Sequence, residues 1–190
     1  MNTLFNTKNI IKLLAVLLIA ITVVSCQRDG SAEEDDIPQE ELTNIILLVK
    51  EDAPGSTAIE YNYSIGAGGI PTILLTNGKT YTVEAKFRNG NEDATGEIID
   101  AKDEHFLIFD FPKSNINITR LDGNDLRGDG KRVGLKTKWE VVSVVNSQSP
   151  FLKLDLIHSP QSVNETKSGT AWGSVVGGET DAEGTYNLTN

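Results

Sequence analysis

The sequence predicts an all-β protein: a mainly antiparallel β-sandwich, immunoglobulin-like, with about seven to nine strands and at most one short helix. Three observations carry that expectation. From Leu42 onward the apolar residues come in short runs rich in Val, Ile, Thr, Phe and Tyr, several of them alternating with polar residues. Asn77-Gly78, Asn89-Gly90 and Asp122-Gly123, dipeptides suited to tight turns, stand between the runs. A helical apolar face is plausible only over 92–105, where Ile98, Ile99 and Lys102 are in phase, and Thr95-Gly96 weakens even that one.

The elements follow in order along the chain. Residues 1–25 carry Lys8 and Lys12 with no acidic group, and from Ile10 to Val24 nearly every position is apolar. A basic start, an apolar run and small residues at its end are the plan of a signal peptide. The run is short for a membrane-spanning helix, which needs about 20 apolar residues. It ends in Val23-Val24-Ser25-Cys26, which resembles the bacterial lipobox, so Cys26, the only cysteine, is expected to be lipidated and to become the mature N-terminus. Residues 26–41 then form an acidic tether. Asp29, Glu33, Glu34, Asp35, Asp36, Glu40 and Glu41 crowd it and Ile37 is its only large apolar residue, too little to offset the entropy of ordering.

The sandwich domain is expected over 42–190. Its candidate strands are 42–50, 58–65, 79–87, 105–111, 115–121, 133–145, 151–157 and 185–189. Trp139 falls within one of them and is expected in the core. Trp172 follows Gly169-Thr170 in an expected loop, where it could be an exposed contact for a partner. Without a second cysteine no intramolecular disulfide can form, so stability has to come from packing. Removing residues 1–25 removes two lysines and no acids, taking the formal charge from −10 to −12. A surface that acidic repels nucleic acid and anionic lipid as main partners.

The chain shows no Gly-x-Ser-x-Gly elbow, P-loop or dinucleotide fingerprint, and an acylated Cys26 could not be a nucleophile. No catalytic residues are therefore predicted, and a binding role is expected rather than an enzyme. The two histidines are the informative positions. His105 shares a period-2 face with Leu107, Phe109 and Phe111, and His158 shares one with Leu152, Leu154 and Leu156. One opens its strand and the other closes its own, so antiparallel neighbouring strands would bring both imidazoles to the same end of the sandwich. Glu179 and Asp181, at the start of the last strand, could reach that end. Two imidazoles with one or two carboxylates suit a divalent transition metal such as zinc. A histidine at a strand end can equally be a polar cap on the core, and the sequence leaves both readings open. The loop 121–131 offers Asp122, Asn124, Asp125 and Asp129 as oxygen ligands for calcium, but its spacing is not that of an EF-hand and Arg127 and Lys131 interrupt it.

Glu104-His105 before an aromatic strand, Leu156-x-His158-x-Pro160, and Gly178-Glu179-Thr180-Asp181 together resemble a group of small lipoproteins of Flavobacteria and relatives, in the Bacteroidota. Members of that group are encoded beside TonB-dependent outer-membrane receptors. The acidic run after Cys26 also resembles the export signal that sends such lipoproteins to the outer face of the outer membrane; the alternative is a plain spacer on the periplasmic face. The resemblance implies a lipid-anchored outer-membrane protein that binds a ligand as an accessory to uptake of a nutrient or metal through such a receptor. The alternative is a structural or adhesive envelope module with no small-molecule ligand.

Overall fold

The computed structural model describes residues 42–190; Cys26, the leader and the acidic tether lie outside the described residues. The first strands are β1 (Asn44–Glu51), β2 (Ile59–Ser64), β3 (Thr72–Leu74), β4 (Thr80–Asn89) and the two-residue β5 (Glu92–Asp93). The one α-helix among the described residues, α1 (Thr95–Asp100), and a 3-10 turn (Lys102–Glu104) lead into β6 (His105–Asp110) and β7 (Ser114–Arg120). Then come β8 (Lys136–Val144), a second 3-10 turn (Asn146–Gln148), β9 (Phe151–His158), β10 (Ser162–Ser168), β11 (Ala171–Val176) and β12 (Glu179–Thr189).

These strands make two sheets, in the orders β2-β1-β4-β8-β7, with β5 paired antiparallel to the end of β4, and β10-β11-β6-β9-β12-β3. Every pairing is antiparallel except the short β3–β12 contact. The all-β sandwich is as expected, but it has twelve strands, more than the expected seven to nine. The surplus comes mainly from β3, β10 and β11, which are too short or too polar to announce themselves. β10 reads SVNETKS and is largely exposed at a sheet edge. It forms because a two-residue turn folds it back along β11, not because it buries a face.

Elsewhere the alternation holds. In β4, Tyr81, Val83, Ala85 and Phe87 point inward, and in β8 Thr137, Trp139 and Val141 do so while Lys136, Lys138 and Glu140 face out. Trp139 is fully buried, as expected, and meets Phe109 and Phe111 of the opposite sheet edge-on, with centroids 6.2 and 5.3 Å away. Its indole N–H donates to Thr137 Oγ1 at 2.9 Å, so the core carries no unpaired donor there.

Two expectations are corrected. The helix occupies only 95–100: Asp93 Oδ1 accepts the Thr95 amide in the turn that leads into it, and the 3-10 turn ends the segment before His105. Trp172 is not in a loop or free for a partner. It lies in β11, half-buried against the core, and its indole N–H donates across the sandwich to the Ile116 carbonyl at 2.8 Å.

Two more polar ties cross between the sheets. Tyr186 of β12 donates its hydroxyl to the Ile45 carbonyl at 2.8 Å, and burial pushes that phenol's pKa well above its ordinary value. Arg120, at the end of β7, is buried and reaches β6, where its Nη2 donates to the Leu107 carbonyl at 2.6 Å. Beyond Trp172, β11 has no further residue paired with β6. The main chain of Leu107 is satisfied instead by the Val133 carbonyl, which accepts its amide at 2.9 Å, and by Arg120. The guanidinium also donates to Val133 O at 2.5 Å and stacks on the Phe106 ring at 4.2 Å. Desolvation lowers its pKa to about 10, which leaves it charged at neutral pH.

Candidate metal site

β6 and β9 are antiparallel neighbours, and their register places His105 directly opposite His158. Both side chains continue the inward-facing row of their strand, so they meet where the core ends. The ring centroids are 5.2 Å apart, with His158 Nδ1 3.4 Å from His105 Nε2. The sequence-based expectation that the histidines converge is met.

The third member comes from β12 through a bulge. Tyr186, Gly184 and Ala182 pair with Leu152, Leu154 and Leu156, and strict alternation from them would aim Thr180 inward and Asp181 outward. The ladder instead slips by one residue between Thr180 and Ala182, leaving Asp181 as the extra residue of a β-bulge. A bulge shifts the phase of every residue beyond it and re-aims the side chain at the slip. Asp181 accordingly turns in, its side chain 8% exposed, with Oδ2 at 3.4 Å from His105 Nε2 and 3.3 Å from His158 Nδ1. Glu179 pairs with His158 in register but stays exposed and outside the cluster. The turn that feeds β12 is tight: at Gly178 (φ 85°) a Cβ would sit 2.7 Å from the His158 carbonyl, so only glycine lets the two strands close here.

His105 Nε2, His158 Nδ1 and Asp181 Oδ2 thus form a nearly equilateral triangle, and among the described residues they are the one group of three His, Cys, Asp or Glu side chains able to hold a metal ion. A tetrahedral ion with bonds of about 2.0–2.1 Å has donor–donor edges of about 3.3–3.4 Å, the spacing found here. An octahedral ion with similar bonds needs edges of about 3.0 Å.

The main chain around the site is clamped by the loop between β7 and β8. Arg127, buried, donates from Nη1 to the His105 carbonyl at 2.7 Å and to the Lys102 carbonyl at 3.1 Å. Asp103 accepts the Gly128 amide, and the Glu104 carbonyl accepts the Ser159 amide at 2.6 Å, tying the 3-10 turn to the residue after His158. The four candidate calcium ligands lie in the same loop, and the side chains of Asp122 and Asp129 are engaged within it. Asp122 accepts the amides of Gly134 and Lys136, both at 3.1 Å, and burial raises its pKa. Asp129 accepts the Lys131 amide at 2.9 Å and contacts Arg127 Nε at 3.4 Å. Asn124 gives its carbonyl to the Leu126 amide, and Asp125 lines a cleft of about 340 Å³ beside α1. Asp122 and Asp129 therefore shape the loop that holds His105.

Sequence reasoning missed Arg127 and Ala101 here. An arginine in an acidic turn reads as an interruption, and a carbonyl four residues before a histidine carries no signal at all. Compared with known proteins, the chain matches no family model, no curated protein and no solved structure.

Proposed function

We propose that this is a lipid-anchored cell-envelope protein that binds a divalent transition metal, zinc foremost, through His105, His158 and Asp181, and that it serves metal or nutrient uptake beside a TonB-dependent receptor. The observation that carries the metal reading is the triangle of donors with tetrahedral edges of 3.3–3.4 Å. Three protein ligands leave a fourth position for water or an exchanging partner, the form of a site that passes its metal on rather than locking it in. The most exposed of the three side chains is His158 at 19%, against 1% for His105, so exchange proceeds past His158. The anchor rests on the lipobox-like Ser25-Cys26, and the receptor on the resemblance described above.

Titration calorimetry of residues 42–190 with zinc is the test. One equivalent is expected to bind, and binding only to the folded form stabilises it by about 2.7 kcal/mol when zinc is at a hundred times Kd. Asp181→Asn keeps the shape but removes the charge and should weaken binding at least about tenfold; His105→Ala with His158→Ala should abolish it. Binding should also weaken in acid, because protons compete for the imidazoles. Undiminished zinc uptake by the double variant would refute the site.

The anchor has its own test. Metabolic labelling with a fatty acid should mark the full-length protein and not Cys26→Ala, which should be released from membranes or stall in processing. Equal labelling of the two would exclude lipidation at Cys26.

A further inference from the structure

Each histidine presents one ring nitrogen to the triangle, and the opposite nitrogen of each faces an oxygen from a single short segment, 101–104. His105 Nδ1 lies 2.9 Å from the Ala101 carbonyl, which can only accept, so the proton is on Nδ1 and the Nε2 lone pair faces the site. His158 uses the reverse pair: Nδ1 faces the site, and Nε2 points toward Glu104 Oε2 at 3.9 Å. Ala101 precedes the 3-10 turn of Lys102–Glu104 and Glu104 ends it, and the turn is pinned at both ends, by Arg127 on the Lys102 carbonyl and by the Ser159 amide on the Glu104 carbonyl.

We infer that Glu104 is a positioning residue for metal binding: it accepts a hydrogen bond from His158 Nε2–H when the metal occupies Nδ1. This deepens the metal reading and rests on it. A metal on Nδ1 forces the imidazole proton to Nε2, where the ring gains partial positive charge. A carboxylate at that nitrogen holds the ring orientation and makes the ligating nitrogen more basic, which is why loss of such outer partners costs metal affinity. Glu104 does the same for His158 that the Ala101 carbonyl does for His105, with one difference. The carbonyl is fixed by the backbone, whereas the Glu104 side chain, 47% exposed, can approach from 3.9 Å to hydrogen-bond distance when the charge on the ring grows. Its negative charge, together with that of Asp181, balances the two positive charges of the ion.

The test compares wild type, Glu104→Gln and Glu104→Ala over residues 42–190. Because the side chain is half in water, the metal-free forms should melt at the same temperature. The zinc dissociation constant is expected to rise about 10–100-fold in Glu104→Ala. It should rise less in Glu104→Gln, whose amide oxygen still accepts a hydrogen bond but carries no charge. A proton spectrum of the zinc-loaded protein gives the second readout. With only two histidines in the chain, the His158 Nε2–H resonance is readily assigned. It should lie at low field and exchange slowly in wild type, and exchange fast in Glu104→Ala. Wild type that binds zinc while Glu104→Ala binds within threefold of it, with an unchanged Nε2–H signal, overturns this inference alone. Wild type that binds no zinc overturns the metal reading and this inference together.

Discussion

Arg120→Ala is expected to lower the stability of the folded domain by about 3–5 kcal/mol, a drop of roughly 10 °C in melting temperature for a domain of this size. The guanidinium stands where a strand should be. β11 contributes no partner to β6 beyond Trp172, and Arg120 covers the Leu107 carbonyl that this leaves open. Truncation would orphan that buried carbonyl and leave a void over Phe106, on which the guanidinium stacks at 4.2 Å. Arg120→Lys should recover little of the loss, because an ammonium cannot reach the Leu107 and Val133 carbonyls in the same fork or stack flat on a ring. Chemical denaturation reads the difference directly; a loss below about 1 kcal/mol would show that the guanidinium is not what closes this gap.

The second large effect is expected from Gly134→Ala. Gly134 has φ of 100°, and a Cβ there would lie 2.0 Å from Arg120 Nη1, a distance no rotation of the methyl relieves. Backbone strain alone costs about 1–3 kcal/mol at such a φ. Displacing the guanidinium adds much of the Arg120 penalty on top, so a total of roughly 3–6 kcal/mol is expected. The two changes should not add. In an Arg120→Ala background the clash partner is gone, and Gly134→Ala should cost only its backbone strain. A double-mutant cycle that comes out additive would show that Gly134 is small for reasons other than Arg120.

A glycine with this constraint and an arginine that substitutes for a strand both look ordinary in the sequence. Gly134 reads as the second residue of the candidate strand 133–145, and Arg120 as a polar residue near the end of 115–121. Their meaning comes from a packing event, the departure of β11 from β6, between segments separated by residues 111–170.

The sequence by itself determined what depends on local period. The run of short alternating stretches was sufficient for an all-β sandwich, since a side-chain period of 2 with one apolar face has few other ways to be buried. It also put His105 and His158 on inward faces at opposite strand ends, because that needs only counting by twos from Phe109 and Leu154. The tertiary structure decided what depends on pairing and phase. Nothing in residues 105–111 or 151–157 states that those strands are neighbours; β6 and β9 pair because their apolar rows complete one sheet facing Trp139. Asp181 and Glu179 were indistinguishable as candidates, two residues apart and in phase. Only the one-residue slip at 181 turned Asp181 in against the imidazoles while Glu179 stayed in water. A strand records which residues share its faces, whereas a bulge exists only once a partner strand fixes the count on the other side.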